Sequence, residues 1–327
     1  MMNRMSAIKG PIKSLLSKLP FSLQRSLSRG AILLPYYHLV SEARTPHFSP
    51  FWEHYPSPRK FRQDLDFFLK HFRAIGLEEL IAHRRHGAKL PKDPFLLSFD
   101  DGYREVAEVA APILLEKGVP ATIFLNTSSL DNKKMIFYNQ LGLLKGRLLS
   151  SGRPREEVSE IIWSIDFFQR EKLDRLCEEA GIDAGAYLRR ESPYLTSDQV
   201  SYLIKKGFTI GSHSMDHPPY ARLGVDEQVR QTLESLRELK ERFNVRYSAF
   251  AFPGSDDGVP MEFFRRIEGH VDVSFGTTAG ALDNIPGHWQ RTSFEYSREP
   301  AERVLAERYG VELLKRITGR ALKERPR

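Results

Sequence analysis

Six short apolar runs, separated by segments of helical periodicity, restrict this chain more than any other feature of its sequence. The runs are 32–37, 95–99, 121–125, 208–211, 248–252 and 271–275. None alternates cleanly between apolar and polar residues, the pattern of parallel strands covered on both faces. Between them, 103–117 carries Val106, Val109, Ala110, Ile113 and Leu114 at helical spacing and stops at Gly118, a C-cap residue. Thr196 and Gln199 form a capping box ahead of Val200, Leu203 and Ile204. The segment 226–243 predicts a long charged helix with Val229, Leu233 and Leu236 on one side. Strand and helix in alternation predict an α/β fold with a parallel sheet. Six or seven such units favour a closed or nearly closed barrel over an open sheet. Active sites of such barrels lie at the C-terminal ends of strands, which is where chemistry should be sought.

One region breaks the rhythm. Residues 131–193 read as helices and polar linkers, a helical insertion that serves either as a lid or substrate wall or as a cover over one barrel face. The barrel domain is expected over 31–327. Residues 1–30 form a basic amphipathic segment, with Ile8, Ile12, Leu15, Leu16 and Leu19 at helical spacing and Lys9, Lys13 and Lys18 between them. Such a segment lies on an anionic membrane or docks on the domain. The basic residues Lys315, Arg316, Arg320, Lys323, Arg325 and Arg327 predict a solvated, helix-like tail that could share a membrane contact.

Composition narrows the function. With 41% hydrophobic and 28% charged residues, the chain has the make-up of a soluble globular protein with a sizeable core. The formal charge of +7 favours anionic partners. Nucleic acid is not among them, since no basic stripe is interleaved with stacking aromatics. The single cysteine, Cys177, forms no intramolecular disulfide and no paired-cysteine metal knuckle, and reads as a helix residue. No apolar run approaches the ~20 residues of a membrane span, and no signal-peptide pattern opens the chain. The expected location is cytoplasmic, with peripheral membrane contact.

Two motifs carry chemistry. Leu97-Ser98-Phe99-Asp100-Asp101-Gly102 places adjacent acids after a buried strand. Two buried carboxylates are costly unless a cation or proton is shared, although a plain turn is the commonest meaning of such a sequence. Ile210-Gly211-Ser212-His213-Ser214-Met215-Asp216-His217 also follows a strand. If it enters a helical turn, both imidazoles share a face. Imidazole with carboxylate suits zinc and its neighbours. One carboxylate and two histidines with open positions describe a catalytic rather than a structural metal.

Phe-Asp-Asp-Gly at 99–102, Val-Pro-Ala-Thr-Ile-Phe at 119–124 and His-Ser-Met-Asp-His at 213–217 resemble the polysaccharide deacetylase family, carbohydrate esterase family four. Phe-Ala-Phe-Pro-Gly at 250–254 resembles its third motif. Tyr-His-Leu-Val at 37–40 and the stretch 57–65 resemble N-terminal features of some members. The resemblance implies a distorted (β/α) barrel of about seven units. It implies metal-dependent removal of acetyl groups, N-acetyl ahead of O-acetyl, from a polysaccharide or lipid-linked sugar. Asp101, His213 and His217 would hold a divalent ion, typically zinc. Asp100 would be the base, and the Gly254 N–H would help hold the oxyanion.

Three departures qualify this. Ala251 stands where many members carry an arginine, and Arg291 is the candidate to supply that charge. Gly254 replaces a common aromatic. The usual Leu-x-His acid is missing, which leaves His288 as the first candidate acid and His38 as the alternative. Expected substrate contacts are His38, Tyr103, Pro253 and Trp289. The aromatic ones, with Tyr220, either stack on sugar rings or simply pack. The competing readings are a carbohydrate-binding protein on a degenerate member of the fold, and an enzyme that cleaves formyl groups or cyclic amides.

Overall fold

The computed structural model describes residues 32–43, 45–48, 50, 54–278, 283–295 and 297–317, together with Lys323, Arg325 and Pro326. The amphipathic segment 1–30, Arg320 and Arg327 lie outside the described residues.

The sheet is parallel throughout. Its strands are β1 (Pro35–Tyr37), β4 (Leu97–Phe99), β5 (Ala121–Leu125), β6 (Thr209–Ser212), β7 (Ala249–Ala251), β8 (Val273–Gly276), β9 (His288–Gln290) and β10 (Thr292–Ser293), and β2 (Arg73–Ala74) and β3 (Pro94–Phe95) form a separate pair. The order β10-β1-β4-β5-β6-β7-β8-β9 places the two last strands at opposite edges. They are consecutive in the chain, however. Residues 288–290 pair with β8 and residues 292–293 pair with β1. One short segment therefore closes the barrel, and Arg291 sits at the seam. Counted once, that segment gives the seven units that the sequence implies. It escapes the strand pattern because its residues, His-Trp-Gln-Arg-Thr-Ser, are mostly polar.

Alternation along the strands sorts the side chains. Leu97, Phe99, Ile123 and Ile210 face outward and pack against helices α1 (Pro58–His71), α3 (Ala111–Lys117), α8 (Ser197–Lys205) and α11 (Ala301–Ile317). Phe250 and Phe252 face α9 (Val225–Phe243) and α10 (Met261–Ile267). Phe124, Ala249, Ala251, Val273 and Phe275 fill the interior, with Leu77, Leu80 and Ile81 of α2 (Leu77–His86) packed against them. The Thr196–Gln199 capping box forms as expected. The segment expected as one helix over 103–117 opens with a π-helical turn, Val106–Ala110, in which the Ala111 N–H bonds the Val106 carbonyl. Pro112 explains this. It has no N–H to donate and crowds the carbonyl four residues back, and a wider turn absorbs both effects.

The insertion is helical, with α4 (Phe137–Ser150), α5 (Arg155–Trp163), α6 (Arg170–Glu179) and α7 (Ala184–Glu191). It has a core of its own, including Leu141, Leu144, Ile162, Leu173 and Cys177. Among the described residues no helix is long and apolar enough to cross a membrane. The expected solvated tail needs correction. The side chains of Lys323 and Arg325 are buried against protein, where Lys323 pairs with Asp256 and Asp257, and Arg325 pairs with Asp256 and Asp283. Buried carboxylates draw in whatever cation the chain can bring to them.

Gly211 shows how tightly the interior is filled. A Cβ there would lie 2.4 Å from Cε1 of Phe124. Gly211→Ala is expected to cost about 1–3 kcal/mol through overpacking, read as a lower urea midpoint. Adding Phe124→Leu should recover part of the loss. A midpoint unchanged in the single variant would contradict this packing.

Candidate active site

The two acids leave β4 in different directions because the backbone turns sharply between them. Asp100, the first residue past the strand, is still held to β1, its N–H bonding the Tyr37 carbonyl at 2.9 Å. Asp101 has φ +68° and Gly102 φ +67°. A left-handed aspartate is a strained conformation, worth roughly 1–3 kcal/mol, of the kind that collects at functional sites. It separates the carboxylates. Asp100 turns inward to Arg291, whose two terminal nitrogens each donate to one of its oxygens at 2.7 Å. Arg291 is fully buried, donates also to Ser98 Oγ at 3.1 Å, and lies 4.5 Å over the Tyr36 ring. The charge absent at Ala251 thus comes from the seam of the barrel. Asp101 faces the histidines and accepts a bond from Asn126 Nδ2 at 3.1 Å.

The histidine motif does not form the expected helical turn. Ser214 and His217 have φ +73° and +61°, and Pro218 and Pro219 follow. A residue before proline is kept out of the helical region, so a helix cannot propagate there. The bent loop still brings the rings together. Their centroids are 5.0 Å apart. His217 Nε2 lies 3.4 Å and His213 Nε2 3.6 Å from Asp101 Oδ1.

These three residues fit a cation. Their donor atoms lie within 4.8 Å of one another. His213 donates from Nδ1 to the Ala251 carbonyl at 2.9 Å, which fixes the tautomer and leaves the Nε2 lone pair on the Asp101 side. That Nε2 is buried and has no hydrogen-bond partner among the described residues. Burial pushes the His213 pKa down to about 4 against the pull of Asp100, so the ring is neutral at pH 7. The approach of His213 to Asp101 is therefore not an ion pair. The donor atoms face a shared space.

Asp100 is set apart electrostatically. Burial alone would raise its pKa, but the Arg291 guanidinium, with His213 behind it, outweighs burial and holds it at about 2. His38 has the opposite setting. Burial opposes its charge, yet the Glu295 carboxylate, 2.5 Å from Nδ1, with Asp101 and Asp100 more distantly, raises it to about 9. Glu295 also accepts the His38 N–H at 2.5 Å, so one carboxylate fixes both ring and backbone.

A cavity of about 430 Å³ opens over these groups, within the usual range for small-ligand sites. His38, Asp100, Asp101 and His217 line it, as do Tyr103, Pro253 and Gly254. Gly254 has φ +63°, a conformation that disfavours the aromatic residue common at this place. The Tyr103 hydroxyl accepts a bond from Asn139 Nδ2 at 2.6 Å, which fixes the ring as wall. Ile136, Tyr138 and Asn139 of the insertion complete that side. The insertion is thus a wall of the site, the first of the two roles its sequence allows.

Two expected site residues are elsewhere. His288 and Trp289 do not line the cavity, and strand alternation is the reason. His288 and Gln290 point out of the barrel, where His288 bonds Asp256 at 3.1 Å and Ser274 at 2.8 Å. Trp289 points in, but toward the floor, against Phe275. Of this segment only Arg291 reaches the acids. Asp256, Asp283 and His288 also lie close enough to hold a metal, but Lys323 and Arg325 already neutralise them. Sequence reasoning missed Asn126 and Glu295. Glu295 carried a faint signal, being an acid four residues past Arg291 and just beyond the strand beside the first.

The family model for polysaccharide deacetylase matches residues 87–261. No curated protein matches the chain. Among solved structures, a deacetylase, PplD, from Streptococcus pyogenes in complex with acetate is 16% identical with a TM-score of 0.55, covering 84% of this chain and 97% of its own. IcaB from Ammonifex degensii is 16% identical with a TM-score of 0.56, covering 85% and 97%. A de-N-acetylase from Aggregatibacter actinomycetemcomitans is 15% identical with a TM-score of 0.53, covering 80% and 94%. At such identities these structures speak for the fold. The family match spans more than half of the chain and both motifs, and the chain belongs to the polysaccharide deacetylase family, as a hydrolase that removes acetyl groups from carbohydrate.

Proposed function

We propose that this deacetylase is metal-dependent and removes N-acetyl groups from a polysaccharide or lipid-linked sugar. Asp101, His213 and His217 would hold the cation, and Asp100 would be the base. One observation carries the reading: three ligand atoms within 4.8 Å of one another, the His213 Nε2 among them buried and unpartnered, beside a separate carboxylate paired with Arg291. Two imidazoles and a carboxylate favour zinc among divalent ions. When bound, such a cation acts as a Lewis acid, making water more acidic and drawing charge from a carbonyl.

The residues divide the remaining work. Asp100, with a pKa of about 2, is a poor base toward ordinary water. It suits a water already made acidic, as the cation would make it. The Gly254 N–H donates to the oxyanion that forms at the acetyl carbon. His38 replaces His288 as the acid. An amine leaves only after it is protonated, and a histidine that keeps its proton to about pH 9 meets that need. This favours N-acetyl over O-acetyl. The completeness of the set speaks against a binding protein that has lost its chemistry.

Removal of metal with a chelator should abolish acetate release, and added zinc should restore it. His213→Ala should lose both stoichiometric metal binding and activity. Formate released in place of acetate would assign the other amide chemistry, and full activity after metal removal would refute the site.

His38→Gln is expected to lower kcat on acetamido sugars by roughly 10²–10⁴-fold. It should matter far less on an acetate ester whose phenolate leaves without a proton. Glu295, Asp101 and Asp100 are the acidic groups that raise the His38 pKa, and the raised value sets the sign. The active protonated form persists below about pH 9 and is lost as pH rises through it. An equal loss on both substrates would remove His38 from the acid role.

Arg291→Met strands Asp100 as a buried, unpaired charge. It should destabilise the protein by roughly 3–5 kcal/mol and reduce turnover together with stability, measured by urea unfolding beside acetate release. Wild-type stability in this variant would mean the ion pair is not what holds the acid.

A further inference from the structure

A run of aromatic rings leads from the metal-ligand set out across the insertion. Tyr138 lines the cavity and stands edge-on to His217, with centroids 5.5 Å apart. Phe167 follows at 6.3 Å from Tyr138, and Phe168 at 5.4 Å from Phe167. Phe168 ends the run at the surface, 52% exposed, in the link between α5 and α6. Arg222 also lines the cavity, and its guanidinium lies 4.8 Å over the Phe168 ring while bonding Asp166 at 2.5 Å. The outermost ring and the cavity therefore share a neighbour.

The chemistry of this rim suits a sugar. A pyranose ring has an apolar C–H face and a belt of hydroxyls. An aromatic face covers the first, and a planar guanidinium–carboxylate pair bonds the second. A lipid surface suits it less. Sinking Phe168 into hydrocarbon would draw the adjacent Arg222–Asp166 pair out of water, at a cost that a ring's burial does not offset.

We propose that Tyr138, Phe168 and Arg222 form an outer subsite that binds the sugar next to the acetylated one. The substrate is then a chain of at least two sugars rather than a single sugar on a lipid carrier. The inference rests on the deacetylase site proposed above and deepens it.

Calorimetric titration of the full-length, zinc-loaded protein with glucosamine oligomers tests the subsite without turnover. Monomer, dimer, trimer and pentamer are compared in both β-1,4 and β-1,6 linkage. Affinity should rise at least tenfold from monomer to trimer in one linkage. Phe168→Ala should lower trimer affinity by about tenfold, and Phe168→Tyr should keep it. Arg222→Ala should lower it as well. Affinity that is absent or flat with length in both linkages overturns the subsite, as does a length dependence that survives both alanine variants. Wild-type binding to anionic phospholipid vesicles that Phe168→Ala abolishes would make the rim a membrane contact and overturn it too. Acetate release from the matching acetylated oligomers reports separately. Its absence with length-dependent binding intact would reject the proposed catalytic residues and leave the subsite standing.

Discussion

The paired charges of Arg291 and Asp100 hold barrel and chemistry together. Arg291 lies at the one point where the chain passes from pairing with β8 to pairing with β1. Its backbone N–H bonds the Gly276 carbonyl on one side, and the next N–H, of Thr292, bonds the Leu34 carbonyl on the other. Its side chain crosses the interior to meet Asp100 in a two-pronged ion pair with both partners buried. A buried pair is weak as a source of net stability and severe when broken. Its consequence here is positional. The barrel cannot shift at its seam without moving the guanidinium off the acid, so closure and ionisation of Asp100 are one condition.

That pair also assigns different work to two adjacent, chemically identical side chains. With Asp100 neutralised, Asp101 is left to the histidines. The left-handed turn at Asp101 and Gly102 makes this possible, and the left-handed Ser214 and His217 do the same on the facing loop. Strain on both loops converges on one space. Such strain persists only where the surroundings over-determine it. Here His213 is fixed through Ala251, His217 through its N–H on Ser214 Oγ at 3.0 Å, and Asp101 through Asn126.

Much of this was legible in the sequence where one residue type has one dominant physical meaning. Apolar runs gave the six inner strands to within a few residues, because burial on both faces leaves no other pattern. The acids and histidines stood at strand ends, where barrel geometry needs them. The polar closing segment was not legible as strand, since its stability comes from pairing on two sides rather than from apolar content. His288 and Trp289 were misassigned for a related reason. Being near Arg291 in sequence does not matter when side chains alternate, and without knowing that 288–290 is a strand the alternation could not be applied. The link from His38 to Glu295 spans 257 residues and depends on closure, so no local pattern announces it.

Among the described residues the barrel contains two clusters of the same ligand types, and they differ in what neutralises them. Asp256, on the loop that carries Pro253 and Gly254, lies with Asp283 and His288, and the chain meets them with its own cations, Lys323 and Arg325. Asp101, His213 and His217 lie under the cavity, and Arg291, the cation nearest to them in the electrostatics of His213, is bound to Asp100. Carboxylate and imidazole at metal-binding distance therefore do not by themselves mark a metal centre. The deciding feature is whether the fold supplies a positive charge of its own. Where it does, the cluster serves as an anchor for the C-terminal residues. Where its cations are taken up by other carboxylates, as Arg291 is by Asp100 and His38 by Glu295, an oriented lone pair and an opening to solvent leave the cluster in need of an external cation beside the substrate.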